Sequence, residues 1–396
     1  MYQALYRKWR PMSFDDVVSQ PHITTTLKNQ IKSGKTAHAY LFTGSRGTGK
    51  TTCARIFAKA INCLDPHDGE PCLECEICKD ADNGTLSDII EIDAASNSKV
   101  DDIRELREGV VYTPERCKYK VYIIDEVHML SAGAFNALLK TMEEPPPHVK
   151  FILATTEIHK VPATIVSRCQ HFDFHRIRNE DIVSRLMYIA SQEGFTLHED
   201  AAGMIARLSD GGMRDALSLL DQCVAYENDI TLDVVSSASG IAGRDYLFDI
   251  LEKIAEKDAA GALRVVDKLY DMSKDLKVLA GELLAQMRNV MIIKTIDNNK
   301  DLITCLPDEY ERLKALAERM KLDEILGDIN TLQECSERFA KSTSKRIELE
   351  MCIIKLCGAA QKAGATVQAV SGNAEITVLL NLSLIHISEP TRLLSI

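Results

Sequence analysis

Apolar and polar positions divide the chain into two kinds of territory. Up to residue 177, short and mostly apolar runs at 39–43, 88–92, 120–125 and 150–155 read as strands, each bounded by turn or polar residues. Between them the spacing predicts helices over 51–61, 100–111 and 132–142. Strands alternating with helices imply a parallel sheet covered on both faces, so an α/β domain is expected over 1–177. Beyond it the strand signals fade and apolar residues recur at helical intervals: Ile182, Leu186 and Ile189, then Met204, Ile205 and Leu208, then Leu263, Val266 and Leu269. That pattern predicts a small helical domain over 178–241 and a larger all-α domain over 242–358, followed by a polar linker at 359–381. Proline marks the same division, because nine of the eleven lie at or before Pro162. No repeat of fixed period is present.

Composition narrows the class. At 45% apolar and 27% charged residues, the chain has the balance of a folded protein rather than of a disordered one. It contains no apolar run of the roughly 20 residues that a membrane-spanning helix needs. The first ten residues carry charge with no apolar run behind them, unlike a secretory signal. A net charge of −11 argues against coating nucleic acid by bulk electrostatics, while leaving room for a local basic patch. Without an export signal, the twelve cysteines read as thiols and metal ligands rather than as a disulfide framework.

Between the first strand and the first long helix lies Gly44-Ser45-Arg46-Gly47-Thr48-Gly49-Lys50-Thr51, with Thr52 next in the helix. Glycines let a backbone wrap closely around phosphates and present N–H donors at the positive end of a helix. Lys50 is placed to meet the β- and γ-phosphates of a nucleotide, and the Thr51 hydroxyl to join an Mg²⁺ shell. A glycine-rich turn matching by chance is the bland alternative, disfavoured by the strand before and the helix after. The strand 120–125 ends in Asp125-Glu126, and in a parallel sheet that end opens on the same edge as the glycine loop. Asp125 is expected to hold Mg²⁺ and Glu126 to polarise an attacking water. A carboxylate pair that merely caps the next helix is the competing reading. Together the two motifs predict hydrolysis of Mg·ATP or a related nucleotide.

Strand 150–155 ends in Thr155-Thr156, placing a hydroxyl near the same edge, and Arg168 and Arg214 follow downstream. Guanidinium groups suit a phosphoryl group in transfer, being planar, permanently charged and able to bind two oxygens. Spacing alone does not bring either arginine to the nucleotide.

Cys63-x8-Cys72-x2-Cys75-x2-Cys78 falls between the glycine-loop helix and strand 88–92. Four thiolates so close in sequence can close around a tetrahedral Zn²⁺. A ferredoxin-type iron–sulfur run would need a further cysteine followed by proline, where this chain has Asp82 and Asn83. His67 is a substitute ligand, but four cysteines already complete the shell. A closed thiolate shell leaves no open position for water, so a structural role is expected. The other cysteines, Cys53, Cys169, Cys223 and Cys352 among them, lack ligand spacing and are expected to be buried.

These motifs, with Tyr6-Arg-Lys-Trp9-Arg10-Pro11, Phe14, Val17 and Val18, the stretches 38–42, 91–97 and 135–145, Ser167-Arg168-Cys169 and Gly212-Met213-Arg214-Asp215, resemble the clamp-loader branch of the AAA+ ATPases. Within it the chain is similar to the bacterial DNA polymerase III gamma/tau family over roughly residues 1–358. The resemblance implies an AAA+ nucleotide-binding domain with an inserted zinc module, a helical lid and an all-α collar. It implies Thr155 or Thr156 as first sensor, Arg214 as second sensor in cis, and Arg168 as an arginine finger serving a neighbouring subunit. Tyr6, Arg10, Pro11, Val17 and Val18 would pack against adenine, whereas Trp9 reads more simply as a packing residue. Implied partners are other gamma/tau copies, delta and delta-prime subunits, the beta sliding clamp and primer–template DNA met through its backbone. The implied setting is the cytoplasm, at the replisome on the nucleoid, with polymerisation left to another subunit. A branch-migration or helicase motor of the same superfamily is the runner-up, against which the cysteine module speaks. A structural clamp-loader subunit without hydrolysis is a further alternative, against which Gly49-Lys50-Thr51 speaks.

Residues 382–396 fit neither the helical domain nor a polar linker. Their sequence matches the translation of a transposase-type sequencing adapter, so the native sequence is expected to diverge near residue 381. A genuine short apolar tail is the alternative.

Overall fold

The computed structural model describes residues 3–96, 106, 108–240, 245–297, 299, 302, 303, 305, 307–339, 342 and 344–358. The linker at 359–381, the tail at 382–396 and most of the helix expected over 100–111 lie outside the described residues, although 106 and 108–110 are helical.

Two units divide the chain. The first comprises Met1–Tyr246 with Ile296–Tyr310, and the second Leu247–Thr295 with the chain from Glu311 onward. The first is built on a parallel sheet in the order β2-β3-β4-β1-β5, with β1 at Ala39–Gly44, β2 at Ile89–Asp93, β3 at Lys120–Asp125, β4 at Val149–Thr155 and β5 at Gln170–Phe174. The continuous apolar runs in β1, β3 and β4 follow from burial on both faces. Alternate side chains go to opposite cores. Tyr40, Phe42, Val121, Ile123 and Ile152 pack beneath α2 (Pro21–Ser33) and α3 (Lys50–Asn62). Leu41, Tyr122, Ile124, Phe151 and Leu153 pack beneath α5 (Ala132–Glu143), whose start is capped by Ser131 Oγ accepting from Ala134 N. The helix α4 (Glu76–Asn83) stands between them in sequence.

The fifth strand was not expected. β5 sits at the sheet edge beside β1 and buries only Phe172 and Phe174, so Gln170, His171 and Asp173 mask it as polar sequence. The helices after it, α7 (Asn179–Glu193), α8 (Glu199–Leu208), α9 (Met213–Tyr226) and α10 (Leu232–Ala238), surround one apolar core, preceded by the short α6 (Ala163–Val166). They also hold a two-stranded sheet, β6 (Thr196–Leu197) with β7 (Asp229–Ile230), too short to show in the pattern. The N-terminal helix α1 (Leu5–Lys8) belongs to this core: Leu5 is buried in it, and Tyr6, Trp9 and Val18 pack against it.

Among the described residues the second unit is helical. It contains most of α11 (Asp245–Ala255), α12 (Ala259–Asp271), α13 (Leu276–Thr295), most of α14 (Pro307–Arg319), α15 (Leu322–Arg338) and α16 (Lys345–Leu356). Arg312 ties α14 to Glu252 at 2.9 Å, and Arg346 ties α16 to Asp267 at 2.7 Å. No helix among the described residues is long and apolar enough to cross a membrane.

Candidate nucleotide site and cysteine centre

The strand order brings the C-terminal ends of β1, β4 and β3 side by side, so Gly44, Thr155 and Asp125 share one edge. Gly44 has φ +131, and a side chain there would collide with the Phe174 carbonyl of β5, so β1 can end only in glycine. At Gly49 the chain turns at φ +104 and α3 begins. Lys50 is 6% exposed and curls back over the loop, donating to Gly44 O at 2.8 Å and Ser45 O at 2.7 Å. Burial holds its pKa below the ordinary lysine value, against the pull of Glu126 and Asp125. A desolvated ammonium held only by carbonyls of its own loop suits an anionic ligand.

Thr51 Oγ1 donates to Asp125 Oδ2 at 2.6 Å. This pair of hard oxygen donors fits the coordination chemistry of Mg²⁺. The backbone at Glu126 is left-handed, with φ 46 and ψ 45, a conformation that costs a non-glycine residue about 1–2 kcal/mol. Its N–H donates to Asp125 Oδ1 at 2.9 Å, and its Oε2 accepts from Thr156 Oγ1 at 3.1 Å. The two threonines therefore differ. Thr156 faces the Glu126 carboxylate, whereas Thr155 is buried with its hydroxyl 3.0 Å from His128 Nδ1 and accepting from Glu157 N at 3.0 Å.

A cleft opens above this edge. One wall is the loop from Arg46 through Gly47, Thr48 and Gly49 to Thr52; another is Ile177, Arg185, Met213, Arg214 and Leu217; a third is Tyr6, Trp9, Arg10, Pro11, Val17 and Val18. Gly44 and Ser45 are not among its lining residues but hold Lys50. Loop and helical core meet backbone to backbone: Met213 N donates to Gly47 O at 3.0 Å, and a Cβ on Gly47 would lie 2.9 Å from Gly212 Cα. The Arg214 guanidinium lies 5.2 Å from the Tyr6 ring centre. Arg10 is held below its ordinary pKa by burial and then by Arg55, with Glu91 opposing.

Five lining residues were not among those expected to bind from the sequence: Trp9, Ile177, Arg185, Met213 and Leu217. Arg185 stands 5.8 Å from the Trp9 ring and 5.4 Å from that of Tyr188, but on the flank of a helix whose apolar stripe draws attention to its other face. Trp9 does pack, with Nε1 donating to Glu193 Oε1 at 2.6 Å, yet it also lines the cleft. Arg168 is not among the lining residues. Its guanidinium binds Glu143 Oε1 at 2.7 Å and donates to Thr164 O at 2.8 Å.

Cys63 ends α3, Cys72 lies in the loop, and Cys75 and Cys78 occupy the cap and first turn of α4. Their ligand atoms all fall within 4.8 Å of one another, with Sγ–Sγ separations of 4.0, 4.0 and 3.7 Å for 63–75, 72–78 and 63–78. A tetrahedron with metal–sulfur bonds of about 2.3 Å has edges of about 3.8 Å, so the donor set fits Zn²⁺. Backbone N–H groups of Cys72, Cys75 and Cys78 point at the sulfurs of Cys63, Cys72 and Cys75. His67 is not in the cluster. Of the remaining cysteines, 53, 223, 335, 352 and 357 are buried and 117, 169 and 305 half-buried. Burial pushes the Cys53 thiol up to about 12.

Comparison with known proteins agrees with this architecture. Three family descriptions match in chain order: DNA polymerase III, delta subunit, over residues 19–178; DNA polymerase III clamp loader subunit, ATPase lid domain, over 181–229; and DNA polymerase III subunits gamma and tau domain III, over 230–368. DNA polymerase III subunit tau of Bacillus subtilis is 44% identical over 370 residues, which cover 93% of this chain and 66% of that protein. The chain thus spans slightly less than two thirds of the length of that relative. DNA polymerase III subunit gamma of Buchnera aphidicola subsp. Schizaphis graminum is 40% identical over 318 residues, covering 80% of this chain and 87% of that one. Among solved structures, the Thermotoga maritima RuvB Holliday junction branch migration motor has a TM-score of 0.45 and 19% identity, covering 63% of this chain and 80% of that one, a likeness too loose to bear on function. With identity of this level across most of the Buchnera subunit and three consecutive domain matches, the chain belongs to the gamma/tau family of DNA polymerase III subunits.

Proposed function

We propose that this chain is an ATP-driven clamp-loader subunit, hydrolysing ATP to load a sliding clamp onto primed DNA. The observation that carries the reading is the buried Lys50 at the head of α3, facing the Thr51–Asp125–Glu126 constellation on one sheet edge. Loop N–H groups and Lys50 would bind the β- and γ-phosphates, and the apolar wall of Tyr6, Pro11, Val17 and Val18 the adenine. Mg²⁺, held by Thr51 and Asp125, would neutralise developing phosphate charge. Glu126 would orient the attacking water, with Thr156 as first sensor because its hydroxyl meets that carboxylate, while Thr155 is engaged with His128. Arg214 would sense the nucleotide from the helical lid, and Arg168, absent from the cleft of its own chain, would serve a neighbour's. Zn²⁺ on Cys63, Cys72, Cys75 and Cys78 would staple α4 to α3.

The three jobs would divide at 1–177 for hydrolysis, 178–241 for sensing and 242–358 for assembly. Partners would be further gamma/tau copies, delta and delta-prime subunits, the beta clamp and the backbone of primer–template DNA, in the cytoplasm at the replisome. Turnover measured on the full chain, alone and with partner subunits, clamp and primed DNA, tests the reading. Stimulated hydrolysis abolished by Lys50→Ala is expected; full stimulated turnover in that variant would sink it. Arg168→Ala should spare nucleotide binding and depress turnover at the adjoining site, and normal turnover would contradict the trans role.

A further inference from the structure

His128 sits in the turn Val127–Met129 that follows β3, two residues beyond Glu126, with its side chain 9% exposed. Three groups surround its ring. Nδ1 lies 3.0 Å from Thr155 Oγ1 and 3.4 Å from Glu126 Oε2, while Nε2 lies 3.3 Å from Glu157 Oε2. Glu157 is itself anchored: its N–H donates to Thr155 Oγ1 at 3.0 Å, and its carboxylate pairs with Lys160 at 2.5 Å. The ring thus bridges the end of β3, the end of β4 and the turn after β4. The same Glu126 oxygen that faces Nδ1 also accepts from Thr156.

We propose that His128 is a positioning residue for hydrolysis, fixing the Glu126 carboxylate and registering it against β4 through Thr155 and Glu157. The need for such a brace is visible in the backbone. Glu126 is in a left-handed conformation just beyond the end of β3 and half-buried, so its side chain aims correctly only if contacts beyond the main chain hold it. Thr156 supplies one contact and His128 another, both at Oε2. No other histidine approaches either carboxylate of the site among the described contacts. The proposal rests on the hydrolysis reading above, since a brace for a water-orienting carboxylate matters only if water attacks there.

The test compares His128→Leu, His128→Asn and Glu157→Ala in the full chain assembled with partner subunits, clamp and primed DNA, beside Lys50→Ala. His128→Leu fills the space without a polar atom, and kcat should fall by about 10–100-fold, the scale of a misaligned reacting group, with KM and nucleotide Kd within about twofold of the parent. His128→Asn keeps an N–H near the Nδ1 position and should recover most of that loss, which a merely space-filling role would not predict. Glu157→Ala alters only a partly exposed side chain, so it should fold normally and lower kcat by about threefold or more through the loosened ring. Parental kcat in both His128→Leu and Glu157→Ala, or no recovery by asparagine, overturns the brace while leaving hydrolysis intact if Lys50→Ala is inactive. Turnover that survives Lys50→Ala overturns the hydrolysis reading and the brace together.

Discussion

Replacing Asp82 by asparagine probes how the cysteine centre is fastened to the phosphate-loop helix. Lys59, on α3 and 3% exposed, places its ammonium 2.7 Å from Asp82 Oδ1 near the end of α4. Because α4 carries Cys78 and is capped by Cys75, this ion pair joins the centre to the helix whose first turn holds Lys50 and Thr51. Asp82→Asn leaves the ammonium buried with no counter-charge. Removing one partner of a buried pair costs about 3–5 kcal/mol, but the Asp82 side chain is 28% exposed and water recovers part, so about 2–3 kcal/mol is expected. In a unit of this size each kcal/mol shifts the midpoint by about 2–4 °C, so the thermal transition of the nucleotide-binding unit should fall by roughly 4–12 °C. The double change Lys59→Met with Asp82→Leu should regain most of this, since no charge then stays buried. Calorimetry of the parent and the two variants makes the comparison. A shift below about 1 °C for Asp82→Asn, or a double variant no more stable than the single, refutes the reasoning.

Three other outcomes are expected. Purified chain should carry one zinc per molecule by elemental analysis, and Cys78→Ser should lower both metal content and the melting temperature of the first unit; full metal content in that variant would contradict the four-thiolate centre. Gly47→Ala should weaken nucleotide binding roughly 30–150-fold, from about 2–3 kcal/mol of left-handed strain and a lost backbone bond to Met213, and calorimetric titration showing unchanged affinity would refute the coupling of loop and lid. Asp328 on α15 is buried with Oδ2 lacking a hydrogen-bond partner; burial raises its pKa to about 6, Lys257 opposing and Glu324 adding. A carboxyl raised on folding favours the native state at low pH and loses that advantage as pH climbs through about 6. Asp328→Asn should therefore stabilise the helical unit at pH 8 relative to the parent and do little near pH 4, and equal shifts at both would show that the charge is not responsible.

How much of this was legible depended on how local the signal is. The loop Gly44–Thr51, the pair Asp125-Glu126 and the four cysteines each occupy one short segment, and the structure groups them as their spacing suggests. The strands β1, β3 and β4 announced themselves because both faces are covered, whereas the edge strand β5, with His171 and Asp173 exposed, did not. Arg185 and His128 were hidden for a different reason. Each gains meaning from a partner far along the chain, Trp9 in one case and Glu157 in the other, and no periodicity encodes such a meeting. The two threonines at the end of β4 were indistinguishable in sequence because only the twist beyond the strand turns one hydroxyl toward Glu126 and the other toward His128.

The docking of α1 has a consequence for how the molecule is made. Leu5, Tyr6 and Trp9 are synthesised well before α7 to α10, yet they complete the core those helices build, and Leu5 N bonds to Asp221, 216 residues later. At synthesis rates of about 5–20 residues per second, these apolar side chains wait about 10–45 s for their partners. During that interval the parallel sheet can form while one wall of the cleft does not exist, because Tyr6 and Trp9 have nothing to lean on. The finished cleft therefore arrives late and all at once, when the last helices of that core reach back to capture α1.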